Sequence, residues 1–339
     1  MTSHSRLRGL VGAAVLLAVT SLGSERVAAS QSPQASIQPT TEPGVARPFF
    51  ILDLTPGTTV SDSVTVINKT AGPLTFDLYT ADAFNDEQGG FVLRRAEDPK
   101  EDIGGWVRLP VDNITVPPQA AIDIPFAIDV PGNATPGDHA GGIVALARNA
   151  EPIGSDDGSV HLQVRNGVGA RIYGRVAGPT HTGLEVTRLS VQTQWPWRLR
   201  LGLPADDTVI YEVENTGNVR LVPSVELEVD GPFGLGDRTL TRQLNELLPG
   251  QSATVRQALD DPRPPGRSTV RVSATAQDAT ARRSVSVWNV PWLVLALIAL
   301  VVGAALTLVI KRRRARRQVN AESSEPAEPA EKSAAGAAP

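Results

Sequence analysis

Chemistry in this chain would have to begin with its histidines. Three of them, His139, His161 and His181, lie away from the N-terminus. Histidine is the side chain suited to moving a proton near neutral pH or to holding zinc. Their separations of 22 and 20 residues give no local pair of ligands, and no H-E-x-x-H occurs. The G-x-S-x-G elbow, the S-x-x-K pair and the G-x-x-x-x-G-K-[ST] phosphate loop are also absent from the sequence. With no cysteine, disulfides, thiol redox chemistry and cysteine-held metals are excluded.

Carboxylates are abundant, so a glycosidase pair has to be weighed. Such a pair must be held about 5–10 Å apart in a rigid cleft. Here the acids alternate with apolar residues or occupy turns such as Asp156-Asp157-Gly158, as a solvated face does. The "NDEQGG" and "SDDGS" turns do not match the D-x-[DN]-x-[DN]-G calcium loop. The expectation is a protein that is not an enzyme and uses no cofactor or metal.

Two stretches remain as candidate sites. "WPWRL" concentrates Trp195 and Trp197 beside Arg198. Aromatic faces of this kind suit a carbohydrate or a protein partner, or equally plug a junction between domains. From residue 165 to 200 there are six arginines against Glu185 alone. That stripe suits an anionic wall polymer, or else neutralises an acidic first domain across an inter-domain contact. "VPGNATPGDHAGGI" holds His139, expected as a turn residue, and Gly141 and Gly142, expected as structural turn glycines that allow close backbone approach or an irregular start to the return strand. No helical pattern follows them, which excludes a phosphate cradle.

Strands must position these groups. In "AIDIPFAIDV" the residues Ile122, Ile124, Phe126, Ile128 and Val130 share one parity, which describes a strand with one buried face. Pro125 lacks an N–H and marks an edge or a bulge. About seven such strands fall between residues 47 and 178, divided by turn residues. A second run spans 179–287, where Val225, Leu227 and Val229 alternate with Glu226, Glu228 and Asp230. The class expected is all-β: two tandem immunoglobulin-like β-sandwich domains plus one C-terminal transmembrane α-helix.

The ends set the topology. Arg6 and Arg8, the apolar run Leu10 to Leu22 and the small residues Val27-Ala28-Ala29 read as a signal peptide over 1–29. Residues 30–46 read as a polar linker. Val290 to Ile310 is uncharged for 21 residues, long enough to cross a bilayer, within a transmembrane segment placed at 288–310. Trp288 and Trp292 lie at its outer edge, and "KRRRARR" follows, which belongs on the cytoplasmic side. Residues 311–339 then read as a basic and afterwards disordered cytoplasmic tail. Between Ser30 and Trp288, 22 Lys and Arg face 31 Asp and Glu, which argues against a nucleic-acid partner.

A strand ending in "VP", a Pro-Gly turn and "GGI" resembles the first domain of WxL-interacting proteins. So do "FFILDLTPGTTVSDSVTVINKTAGPLTFDLYTADAFNDEQGGF" and "VPPQAAIDIPFAID", so that the resemblance covers about residues 47 to 175. It implies a non-catalytic, single-pass cell-membrane protein of a Gram-positive envelope. Peptidoglycan or another cell-wall polymer would be the ligand of the first domain, and a secreted WxL-type surface protein a further partner. No LPxTG precedes the apolar segment, so the helix itself is the anchor. The alternative is an extracytoplasmic chaperone or assembly platform that acts by β-strand addition at an exposed edge.

Overall fold

The computed structural model describes residues 34–41, 47–148, 151–153, 162–201, 203, 206–259 and 263–322. The expected signal peptide, His161, the Asp156-Asp157-Gly158 turn and the tail beyond residue 322 lie outside these residues.

The first sandwich holds β1 (Ala35–Pro39), β2 (Phe50–Leu54), β3 (Thr59–Asn68), β4 (Leu74–Asn85) and β5 (Phe91–Leu93). After the single turn of α1 (Ile103–Trp106) come β6 (Val107–Arg108), β7 (Asn113–Val116), β8 (Ala121–Asp129) and β9 (Gly137–Ala147). β10 (Glu151–Ile153), β11 (Leu162–Val164) and β12 (Gly167–Val176) complete it. One sheet has the order β1-β3-β8-β6, and the facing one β2-β12-β9-β4-β5, with β7 also on β4. The second sandwich holds β13 (Leu184–Thr193), a short α2 (Pro196–Arg200), β14 (Asp207–Asn215), β15 (Ser224–Asp230), β16 (Arg238–Gln243), β17 (Ser252–Leu259), β18 (Gly266–Ala276) and β19 (Ala279–Asn289). Its sheets run β13-β14-β17 and β16-β15-β18-β19. α3 (Trp292–Glu322) follows β19.

Alternation puts the apolar parity inside. Ile124, Phe126, Ile128 and Val130 are buried, as are Val225, Leu227 and Val229 in the second core. Phe126 meets Phe50 of the opposite sheet edge-on, with ring centroids 5.1 Å apart. The Ser63 carbonyl accepts the Thr40 N–H at 2.9 Å, so at Ser63 the backbone of β3 faces away from β8. Pro125, its register partner, therefore turns its nitrogen to the far side of β8, where β6 reaches only Ala127 and Ile128. The missing N–H costs no ladder bond there.

Three expectations are corrected. Residues 35–39 are not linker, because β1 pairs antiparallel with β3. Ala35, Ile37 and Pro39 share the inward parity, with Ile37 packed on the core, but the run is only five residues long within a polar, proline-containing stretch. Arg47 ties the segment further, with Nη1 and Nη2 donating to Asp62 at 3.0 and 3.1 Å and Nη2 to the Thr40 carbonyl at 2.8 Å. The helix does not keep to 288–310: it starts at Trp292, after β19, and outlasts Ile310. α3 runs through Lys311–Arg317 to Glu322, since Arg, Ala, Lys and Gln all favour helix and nothing breaks it.

Gly141 and Gly142 are not in a turn. They lie mid-strand in β9, opposite Ile172 and Arg171 of β12. A methyl group on Gly141 would stand 2.7 Å from the Ala81 carbonyl oxygen and 2.9 Å from Ile103 Cβ. On Gly142 it would stand 2.5 Å from the Ala170 carbonyl oxygen. Gly141 lets α1 press onto the sheet, and Gly142, on the other face, makes room for Leu93 of β5. Gly141→Ala should cost about 1–3 kcal/mol of stability, read by chemical denaturation. Gly132→Ala, where a methyl meets nothing within 4 Å, should be close to neutral.

Candidate functional site

His139 belongs to β9 and not to a turn, and its neighbourhood is built by a buried carboxylate. Asp82 Oδ1 accepts the Gly104 N–H at 2.7 Å, and Oδ2 accepts those of Glu101 and Asp102 at 2.6 and 3.1 Å. The Thr80 hydroxyl donates to the Gly104 carbonyl at 2.7 Å. α1 is thereby pinned, and Asp102 is brought to His139. His139 Nδ1 lies 2.6 Å from Asp102 Oδ1, and Nε2 lies 2.7 Å from the Thr135 carbonyl oxygen. The ring leans on Trp106, with centroids 4.9 Å apart. Both partners are acceptors, so only the doubly protonated ring satisfies them. Burial pulls the His139 pKa down, but the hydrogen bond and charge of Asp102 and the Thr135 carbonyl outweigh it and raise it. With both nitrogens engaged, this is a clamp between β9 and the α1 turn. His181 is elsewhere, its backbone N–H donating to Asn218 at 2.7 Å.

Polar side chains join the two sandwiches. The Asn85 amide donates to the Glu246 carbonyl at 2.7 Å, and its oxygen accepts the Leu248 N–H at 2.8 Å. Asn218 donates to the carbonyls of Pro136 and Pro179 at 2.8 and 3.0 Å. Asp138 accepts a forked pair from Arg175 at 2.6 and 2.8 Å and the backbone N–H of Arg220 at 2.9 Å. Burial alone would raise the Asp138 carboxyl; those donors hold it below its ordinary value. The Arg220 guanidinium stacks 4.2 Å above the Tyr173 ring.

The arginine stripe resolves into these contacts. Arg165 and Arg148 both pair with Asp77, and Arg171 lies 4.4 Å over the Phe91 ring. Arg165 and Arg175 therefore neutralise acids of their own sandwich, and the inter-domain charge contact is made by Arg220 instead.

β12 changes partners half-way. β2 covers it in parallel from Ile172 to Val176, while β9 covers its other side along its whole length. The Ala147 N–H donates to the Asn166 carbonyl, and the Ala177 N–H to the Leu54 carbonyl, both at 2.9 Å. Even-numbered residues of β12 therefore face β9, and odd-numbered ones face outward. Among the described residues, no strand pairs with the outward N–H and C=O groups of Gly167 and Gly169; pairing with β2 begins at Ile172 and Phe50. The other long edges carry charge, which discourages pairing: Glu185 and Arg188 on β13, Arg238 and Arg242 on β16, Arg256 on β17, Arg282 and Arg283 on β19. β1 is short and closes on Pro39. The first half of β12, Gly167-Val168-Gly169-Ala170, is small and uncharged.

Trp195 and Trp197 are exposed, and the reading of "WPWRL" as a plug between the domains is corrected. α2 leaves the end of β13 at Thr193, which pairs with Asp207 at the start of β14. β14 runs from there to Asn215, at the junction end. The aromatic turn thus lies at the opposite end of the second sandwich, against the start of α3. That end is locked by a buried ion pair, Arg263 Nε to Asp207 Oδ2 at 2.6 Å, and by Asn289 donating to the Arg263 carbonyl at 3.2 Å. Arg198 is half-buried in α2. Beyond it, α3 is long and apolar enough to cross a membrane, over Trp292–Arg316.

No family model matches the chain, and no curated protein matches it. Solved structures do. The class 5 fimbriae chaperone CfaA is similar at 15% identity over 68% of this chain and 94% of that one, with a TM-score of 0.33. The YadV chaperone gives 10% identity over 75% and 100%, at 0.34, and the Pseudomonas aeruginosa CupB2 chaperone 10% over 71% and 97%, at 0.30. Identities of this size speak of fold and not of function.

Asn85→Ala should strand the Leu248 N–H and two carbonyls at the junction, costing about 1–3 kcal/mol. Calorimetry should then resolve two transitions where the native chain shows one. For His139 the raised pKa fixes the sign: its stabilisation is complete below the ordinary histidine pKa of about 6.5 and is lost as pH rises through the folded value. Imidazole NMR should show a midpoint above that of a free histidine, and Asp102→Asn should bring it down.

Proposed function

We propose that this is a non-catalytic, membrane-tethered protein displayed outside the cytoplasm, which holds an extended segment of a partner protein along the open half of β12. The single observation that carries this reading is the outward row of backbone groups at Gly167 and Gly169, which pairs with no described strand and bears no charged side chain. An added strand would gain main-chain hydrogen bonds there, with Val168 and Ala170 offering shallow apolar contact. α3 supplies the tether. Lys311–Arg317 on its far side favours a cytoplasmic C-terminus, which leaves both sandwiches outside. The resemblance of residues 47 to 175 to WxL-interacting proteins also supports a partner within the envelope. Peptidoglycan, the other ligand that resemblance implies, has no comparable support from the surfaces: Trp106, the tryptophan of the first sandwich, is buried beside His139.

The test uses the full chain in detergent and a short peptide of alternating valine and threonine as probe. Hydrogen exchange should slow at Gly167 and Gly169 when the peptide is added. Gly167→Pro removes one outward N–H and should weaken the peptide about tenfold, the equivalent of ~1.4 kcal/mol, with an unchanged melting temperature. Protection absent from this edge, or equal peptide binding by the proline variant, would overturn the reading.

A further inference from the structure

The second sandwich keeps its exposed apolar side chains at one end. Trp195 and Trp197 are 60% and 53% exposed, Phe233 is 99% and Leu235 59%, and Trp288 and Trp292 are 67% and 65%. Chain direction places them together. β13 ends, and β14 begins, at the Thr193–Asp207 pair. β18 begins, and β19 ends, at the Gly266–Asn289 pair, with two residues between Asn289 and the start of α3 at Trp292. β15 runs out to Asp230 at this same end, where Phe233 tops a short turn whose neighbour Gly231 lies against Pro264. Leu201 and Leu203, just after α2, are exposed as well, whereas Val222 is exposed at the junction end, next to the Leu221–Leu247 bridge.

We propose that this end of the second sandwich is itself a membrane contact: the Trp195–Trp197 turn and the Phe233 loop rest in the interfacial layer of the same bilayer that α3 enters. The inference rests on reading α3 as a membrane span. It replaces a soluble carbohydrate or protein as the occupant of the "WPWRL" cluster. Three features favour lipid. The patch is continuous with the span, since α2 lies against the beginning of α3. Its composition is that of an interface, where indole rings find an apolar medium on one side and water on the other. Cations stand among the rings, Arg198 in α2 and Arg267 opposite Trp288, as phosphate headgroups favour. The backbone also concedes something to this display. Trp195 and Phe233 adopt left-handed φ values of 57° and 59°, which bulky side chains seldom take. Two loops and a helix touching one bilayer define a plane, so the sandwiches would stand at a fixed angle and not swing on α3.

The natural absence of cysteine gives a direct test. Trp197→Cys, Phe233→Cys, Val222→Cys and Leu297→Cys each place one polarity-sensitive label on the full chain, reconstituted in phosphatidylcholine–phosphatidylglycerol vesicles. Labels at 197 and 233 should shift to the blue, be quenched by lipids brominated near the headgroup, and be shielded several-fold from aqueous iodide. The label at 222 should remain open to iodide, and that at 297 should be quenched by deeply brominated lipids. If 297 is quenched while 197 and 233 stay as accessible as 222, the contact is disproved and the span stands. If 297 is unquenched as well, the span fails and takes the contact with it. Phe233 is fully exposed, so its substitution leaves the fold intact and the answer readable should Trp197→Cys misfold.

Discussion

The arrangement depends on a small polar junction. Asn85, Asn218 and Asp138 reach from one sandwich to the backbone of the other, and each is satisfied by more than one partner. Buried amide and carboxylate groups tolerate few geometries, because any rotation that breaks one bond leaves a desolvated polar atom behind. An apolar contact of the same size would permit sliding. The junction therefore fixes the angle between the two cores. What projects from either one, the open edge of β12 or the aromatic end of the second sandwich, is held in a set direction relative to the other.

Within the first sandwich, small residues serve the same end. Gly141 and Gly104 let the α1 turn lie almost on the backbone of β4 and β9. Asp82 then satisfies the amides that such a short turn leaves unpaired. This costs strand propensity, since glycine is a poor strand residue. It is offset by burial of Ile103 and by the histidine clamp above it. No disulfide contributes, so the molecule relies on packing and on paired polar groups such as Asp82 and Asn85.

Local pattern made the all-β class and the apolar helix legible. Period-two runs such as Ile124-Phe126-Ile128 and Val225-Leu227-Val229 carry their burial in their spacing. Contacts distant in sequence were not legible. His139 meets Asp102 across 37 residues, and Asn85 meets Leu248 across 163, so nothing in either neighbourhood announces the pair. β1 was missed because its alternation, Ala35-Ile37-Pro39, lasts only five residues in a polar stretch, and the mid-strand glycines read as a turn because glycine is commoner there. For the "WPWRL" cluster the exposure was anticipated and the location was not: proximity to α3 is decided by which strand ends share a side of the sandwich.

The parallel pairing of β2 with β12 bears on how the chain can be made. Phe50 and its register partner Ile172 are separated by more than a hundred positions. Synthesis proceeds from the N-terminus, so β2 emerges long before the strand that shelters it. Until then Phe50 and Leu54 have no lasting home, and the sheet cannot close. The nascent first domain must pass through a stage in which an apolar strand waits unpaired, open to whatever assists or intercepts unfinished polypeptides.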